Sequence, residues 1–404
     1  VSTDDIRKRW TNFDLTLPLE SSANLNQERD RLQQLGFDVR KVTSFQSLGL
    51  PSQLLAGVQI NREDIEAKNF VTGSGRNEIG PTSVNRNVVT ATTALYAQYQ
   101  VQPIARLKVT AGARYDRLNF DVGLKPDDTT FGAAMAAALP TSVSQTEGQF
   151  SPKLGAALAL MQRQDFTVEL FGNAARGLKS PYPFADYYAN TGASGVVPSL
   201  AISRLDSLEA GLQGGRPDGS ATWRGSMWNT KQQQEADRNA VGIFQNFKET
   251  ERDGFDVEGS LLISESVRVF GNYSQVRARI VNPVTAGFDR IPNVPEYLGT
   301  IGVLGITDIG AHRLDWTLAN TLVGPQAITT DNTRRTESLN RTTGRLAYSN
   351  AGWNGISTFV TATYYDKQLE ELVFDFGGGL SGTSVKPRWK LLVGVQIPFG
   401  AQTK

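Results

Sequence analysis

Residues 389–399 alternate between apolar and polar side chains along almost their whole length. One face carries Trp389, Leu391, Val393, Val395, Ile397 and Phe399, and the other carries Lys390, Gly394, Gln396 and Pro398, with Leu392 as the single apolar exception. Successive side chains of a strand point to opposite faces, so this segment has one apolar wall and one mostly polar wall. A length of about ten residues with this alternation predicts a membrane-spanning barrel strand.

The same alternation recurs along most of the chain. It is found in residues 95–101, 107–116, 166–174, 255–261, 267–274, 313–318 and 356–364. The polar face includes Arg114, Glu169, Glu258 and Arg268, which a dry soluble core would not accept unpaired. The pattern therefore predicts an all-β, transmembrane antiparallel barrel in which these four side chains point into a polar lumen.

Connections between the alternating segments also alternate, between short and long. Short turns are predicted near 102–105, 162–165, 214–220, 264–266, 308–311 and 350–354, and long loops near 61–92, 122–147, 177–204, 282–293, 325–338 and 366–385. Short periplasmic turns with longer outer loops are typical of bacterial outer-membrane barrels. We count about 14 strands from Gln53 onward and two weaker ones near 5–17 and 37–46, which makes about 16. Residues 26–36 are predicted to form a short helix, with an Asn cap and a Gly stop.

Composition removes several other classes of protein. Apolar residues make up 39% of the 404 residues, cysteine is absent, and the net charge is +1. There is no run of 18 apolar residues, so no transmembrane helix is predicted. The charge gives no reason to expect a nucleic-acid partner, and no cofactor is expected. Because the chain does not open with a signal peptide, we expect its N-terminus to be missing or processed.

Several segments, in this order along the chain, resemble the barrel of TonB-dependent outer-membrane receptors. The resemblance is carried by residues 54–59, 95–99, 107–116, 150–155, 170–181, 205–212, 252–259, 291–295 and the C-terminal strand. It implies a 22-stranded barrel that holds an N-terminal plug and is driven by an inner-membrane energy-coupling complex. On that basis, residues 1–404 are expected to be the C-terminal part of the barrel, with the plug and about six strands encoded upstream.

Candidate binding residues lie in an aromatic-rich loop. Arg176, Tyr182, Phe184, Tyr187 and Tyr188 are candidates for ligand contact, since tyrosine offers a large contact area with a polar tip. The alternative is an interfacial aromatic girdle and loop packing. Trp223, Trp228, Trp316, Trp353 and Trp389 are also assigned to the girdle. His312, the only histidine, is read as a solvated turn residue, and no catalytic or metal-ligating residue is predicted.

Three functions remain open at this point. The resemblance implies energy-coupled uptake of a scarce small molecule or metal chelate, such as a ferric siderophore. The partners would then be the outer-membrane lipid, the plug and the inner-membrane complex. A complete, passive 16-stranded porin is the alternative. A barrel enzyme is a third reading, against which the lone His312 near a predicted periplasmic turn argues.

Overall fold

The computed structural model consists almost entirely of antiparallel strands. It describes residues 2–13, 23–71, 82–126, 142–179, 202–238, 244–283, 285–353, 355–367, 370–375, 381–385 and 387–397. The strands are β1 Ser2–Phe13, β2 Ala23–Ser47, β3 Leu50–Val71, β4 Thr82–Ile104, β5 Leu107–Pro126, β6 Ser142–Gln162, β7 Thr167–Lys179, β8 Ser203–Gly215, β9 Ala221–Arg238, β10 Phe244–Ser264, β11 Val267–Ile280, β12 Tyr297–Ile309, β13 His312–Val323, β14 Leu339–Asn350, β15 Ser357–Tyr365, β16 Glu370–Asp375, β17 Ser381–Val385 and β18 Trp389–Gln396. One 3-10 turn, Ala351–Trp353, precedes β15.

Sixteen of the described strands form one sheet, ordered β1 to β15 and then β18, while β16 and β17 form a separate hairpin. This confirms the predicted all-β class and the approximate strand count. The ends of the sheet are β1 and β18, and among the described residues no pairing joins these two strands. Within those residues, no helix is long and apolar enough to cross a membrane.

The helix predicted at residues 26–36 is wrong. These residues lie within β2, which pairs with β1 on one side and with β3 on the other. The segment is polar on nearly every side, so a helix there would bury no apolar stripe, whereas two neighbouring strands satisfy its backbone groups.

The two faces of the sheet differ as the alternation predicts. Leu391, Val393 and Val395 expose 72%, 70% and 61% of their surface on one face, called here the outward face. On β5, Tyr115 is exposed on the outward face, whereas its neighbour Asp116 is buried on the inward face. The inward face carries a network of hydrogen-bonded polar side chains that includes Glu169, Gln213 and Arg224.

Short turns and long connections fall at opposite ends of the strands, as predicted. The loops predicted at 61–92 and 122–147 are shorter than expected, because β3 extends to Val71 and β5 to Pro126. Of the predicted girdle tryptophans, Trp228 faces inward, since it alternates on β9 with Met227, which is 73% exposed on the outward face. The Trp228 ring covers Gly254, with which it pairs in register.

Candidate functional site

A chain of hydrogen bonds joins inward-facing side chains of β7, β8 and β9. Gln213 Nε2 donates to Glu169 Oε2 at 2.7 Å, and Arg224 Nη1 donates to Gln213 Oε1 at 3.2 Å. Arg224 Nη2 also donates to Glu209 Oε1 at 2.6 Å, and Asn173 Nδ2 donates to Glu209 Oε2 at 3.0 Å. Adjacent strands place these residues in neighbouring positions on one face, so the register itself builds the network.

A cavity of 640 Å³ opens beside this network. Both predicted lumen carboxylates, Glu169 and Glu258, line it together with Arg224, Phe270 and Asn272. Glu258 pairs in register with Arg224 on one side and Asn272 on the other, which brings the two carboxylates of β7 and β10 to one wall. The cavity offers both acceptors and donors to a polar partner.

The other two predicted lumen residues hold the wall together locally. Arg114 Nε donates to Asp116 at 2.9 Å and Arg114 Nη2 to Gln59 at 2.9 Å, while its guanidinium lies over the Tyr96 ring. Arg268 donates to the Gly219 carbonyl at 3.1 Å, at the short-turn end of the barrel. Arg114 is therefore part of a second inward polar cluster, whereas Arg268 anchors a turn.

An inward ion pair near the long-loop end was not predicted from the sequence. Arg252 Nη2 lies 2.7 Å from Glu235 Oε1, and Glu235 is buried. The fully buried Thr250 donates its hydroxyl to Glu235 at 2.5 Å. The second half of β9 is polar on both faces, so alternation gave no sign of which side Glu235 faces.

Arg176 lies on the outward face, apart from the inward network. It has the same parity on β7 as the exposed Leu170, and its Nε contacts Asp206 at 2.6 Å. Contact of Arg176 with a ligand stays a prediction. Tyr182, Phe184, Tyr187 and Tyr188 lie outside the described residues, so their contact with a ligand stays a prediction.

Two long connections fold back over the inward face. In the connection 281–296, Ile291 and Val294 pack against Ala278 and Ile280 of β11. The connection 324–338 lies against the first, since Arg290 N donates to Thr330 O and Asn293 N donates to Ala327 O, both at 2.9 Å. These two connections form a fixed rim at the long-loop end.

Within this rim, Asp331 accepts hydrogen bonds from its neighbours. The Thr329 hydroxyl donates to it at 2.5 Å and the Thr333 backbone N–H at 3.1 Å. Both bonds favour the carboxylate, so the pKa of Asp331 lies below its ordinary value.

Among the residues that the structure describes, no group of three His, Cys, Asp or Glu side chains is arranged to hold a metal ion. What the inward face presents is paired charge, amide groups and hydroxyl groups around open space. This chemistry suits reversible binding of a polar partner.

The chain matches one protein-family model over nearly its whole length. Residues 2–395 match the model described as TonB dependent receptor-like, beta-barrel. A curated protein, the metal-pseudopaline receptor CntO of Pseudomonas aeruginosa, is 24% identical over 268 residues, which cover 65% of this chain and 35% of that protein.

Solved structures with this fold include two uptake receptors. The ferric yersiniabactin receptor FyuA of Yersinia pestis superposes with a TM-score of 0.67 at 16% identity, covering 92% of this chain and 54% of that one. The ferric-catecholate receptor Fiu of K12 E. coli, in its closed form, gives 0.68 at 15% identity, covering 97% and 59%. The matched regions thus cover little more than half of either solved receptor, and about a third of the curated relative.

Proposed function

Because the chain belongs to the family of TonB-dependent receptor β-barrels, we propose that it forms the barrel portion of a receptor for energy-coupled uptake, with a metal chelate such as a ferric siderophore as ligand. Barrels of this family lie in the outer membrane, and this chain is accordingly an outer-membrane, transmembrane antiparallel β-barrel. The family match over residues 2–395 carries the proposal. The names of the relatives, which refer to metal-pseudopaline and ferric yersiniabactin, support the ligand class.

The inward face is the proposed site of contact with a plug. Glu169, Gln213, Arg224 and Glu258 present donors and acceptors around one cavity, which suits a folded polypeptide surface inside the lumen. Further strands between β18 and β1, together with this plug, would complete the barrel. Free strand edges in hydrocarbon would otherwise leave unsatisfied backbone groups, at several kcal/mol each.

A passive porin is less well supported. A porin of sixteen strands closes by pairing its first strand with its last, and the described parts of β1 and β18 stand at opposite ends of the sheet order. The family match also favours the receptor.

Uptake measurements in the native bacterium test the proposal. Accumulation of a radiolabelled ferric siderophore, chosen from a panel, is compared between wild-type cells and cells lacking the gene, each with and without a protonophore. We expect accumulation that requires the gene and is abolished by the protonophore. Gene-dependent entry that persists without the proton gradient would instead establish the porin, and absence of any gene-dependent entry across the panel would count against this ligand class.

A further inference from the structure

A hollow in the inward face of β3–β7 lies near the middle depth of the barrel wall. Its volume is 480 Å³, within the range of sites that bind small molecules. Gly112, which lines it, is five residues along β5 from Leu107, where the strand leaves a short turn. A strand crosses the hydrocarbon in about 9–11 residues, so this position is about half-way across. The hollow shares no lining residue with the cavity beside Glu169 and Glu258.

Strand register brings the residues of the hollow into two adjacent rows. The first row pairs in succession across β4, β5, β6 and β7, and consists of Gln98, Gly112, Lys153 and Ala175. The second row pairs across β4, β5 and β6, and consists of Tyr96, Arg114 and Ser151. The space exists because Gly112 and Ala175 extend little into the lumen between longer side chains. Gly177, the next inward residue of β7, also borders open space, since a Cβ added there would meet no atom within 4 Å.

Two polar groups of the hollow lack a matching partner in the described part of the chain. Lys153 Nζ donates one long hydrogen bond, to Gln98 Oε1 at 3.4 Å, and forms no ion pair. The Ser151 hydroxyl is buried and has no hydrogen-bond partner. Buried polar groups are nearly always hydrogen-bonded. An unpaired hydroxyl beside an uncompensated ammonium group therefore indicates an acceptor that comes from outside these strands.

The other charges at the hollow neutralise each other. Arg114 Nη2 lies 2.7 Å from Asp116 Oδ1. Arg176 Nε, at the edge of the hollow, lies 2.6 Å from Asp206 Oδ1. One positive charge, that of Lys153, is left for a partner, and a carboxylate supplies one negative charge. A phosphate group carries about −1.5 to −2 at pH 7, so its second charge would meet Asp116 without a further cation.

We propose that the hollow binds a carboxylate of the transported small molecule on its way through the lumen. The carboxylate accepts hydrogen bonds from Lys153 Nζ and from the Ser151 hydroxyl, and a hydroxyl group of the same molecule bonds to Gln98. This deepens the proposed function, on which it rests for the statement that the bound molecule is the transported one. It assigns carboxylate chemistry to the chelate.

The test measures binding to the full-length protein in detergent micelles. The probe is gluconate, a hydroxycarboxylate with one negative charge. Sorbitol has the same hydroxylated chain without the carboxylate, and inorganic phosphate is an anion of different shape and higher charge. Saturation-transfer NMR titrations give the Kd of each probe, and thermal unfolding gives the Tm of each variant.

Three changes separate charge, space and fold. Lys153→Gln removes the uncompensated charge, whereas Lys153→Arg keeps it. Gly177→Val takes up part of the hollow without a change of charge, at a position that borders open space. Arg345→Gln is the matched control, because Arg345 is an inward cation on another part of the wall, where it covers the Phe359 ring.

We expect gluconate to bind the wild type and Arg345→Gln equally, and far more tightly than sorbitol or phosphate. Its Kd should rise about ten-fold in Lys153→Gln, as the loss of a charge-assisted hydrogen bond predicts, and by less in Lys153→Arg. Gly177→Val should weaken binding at an unchanged Tm, which separates occupancy of the hollow from stability of the fold.

Sorbitol or phosphate binding as tightly as gluconate would overturn the assignment to a carboxylate, and an unchanged Kd in Lys153→Gln would overturn the site. No binding to the wild type would also overturn the proposal. A lower Tm of Lys153→Gln would then show that Lys153 pairs with a carboxylate fixed in the protein, such as one of the plug. Absence of uptake with gluconate binding intact would count against the proposed function and leave the carboxylate site in place.

Discussion

Strands β2 to β6 contain 20–25 residues, whereas β12 to β15 and β18 contain 8–13. The first group, called here the long-strand wall, bears outward charges such as the Arg62–Asp64 pair and Asp121. The second group, the short-strand wall, has uncharged outward positions at the corresponding end, among them Asn320, Thr342, Tyr364 and Trp389. In its described strands, no Asp, Glu, Lys or Arg shares that face.

The difference follows from how many residues the membrane requires. About ten residues cross the hydrocarbon, so the short strands end near its boundary, while the long strands continue beyond it into water. An outward charge therefore costs little free energy on the long-strand wall and much more on the short-strand wall. At the rim, the connections 281–296 and 324–338 fold back over the inward face.

The largest effect on stability is expected when a charge is placed on the outward face of the short-strand wall. Ile301, which exposes 65% of its surface near the middle of β12, is changed to Arg. We expect the free energy of unfolding to fall by about 2–4 kcal/mol, the cost of an Arg side chain near the bilayer midplane of a barrel. Equilibrium unfolding in lipid bilayers measures it. The matched control is Val89→Arg in the long-strand wall, where Asp64 and Asp121 flank the position in register. Equal losses in the two variants would show that both walls meet lipid alike.

A smaller and more local effect is expected in the folded rim. Ile291→Ala removes a buried side chain from the cluster with Ala278 and Ile280. We expect the free energy of local opening of the rim to fall by about 2 kcal/mol. This is the low end for such truncations, because the connection can partly collapse into the cavity that the smaller side chain leaves. Hydrogen exchange at the Ile280 and Asn293 amides should accelerate. Ile309→Ala, at an exposed position beside a short turn, should leave those amides unchanged. Unchanged exchange in Ile291→Ala would mean that the rim does not depend on this contact.

The smallest expected effect is a dependence of the stability of the rim on pH. The pKa of Asp331 is lowered in the folded protein by the bonds from the Thr329 hydroxyl and the Thr333 N–H. A lowered pKa contributes stability that is present above the unfolded pKa and is lost as pH falls through the folded one. Exchange at the Thr333 amide, corrected for its intrinsic pH dependence, should therefore accelerate in acid. Asp331→Asn should abolish that acid-dependent step, and a step that persists in this variant would assign it to another group.

Much of the fold can be predicted from the sequence, because a strand repeats every two residues. The alternation through Leu391, Val393 and Val395 identified the outward face, and that through Arg114 and Glu169 identified inward positions. The segment 26–36 forms a strand instead of the predicted helix, because pairing with two neighbouring strands outweighs the local cap residues. The predicted loops at 61–92 and 122–147 were too long because polar strand ends above the membrane lack the alternation.

The sequence by itself determined the barrel class, the positions of most strands and the side of the sheet on which Arg114, Glu169, Glu258 and Arg268 lie, since each depends on the two-residue period alone. Only the tertiary structure decided which residues meet across strands. Glu169 and Glu258 line the same cavity, and Glu235 forms an ion pair with Arg252. On the outward face, Asp206 pairs in register with Arg176 on one side and Lys231 on the other. Register is a relation between strands set by turns, bulges and neighbouring strands, and the period within a single strand cannot specify it.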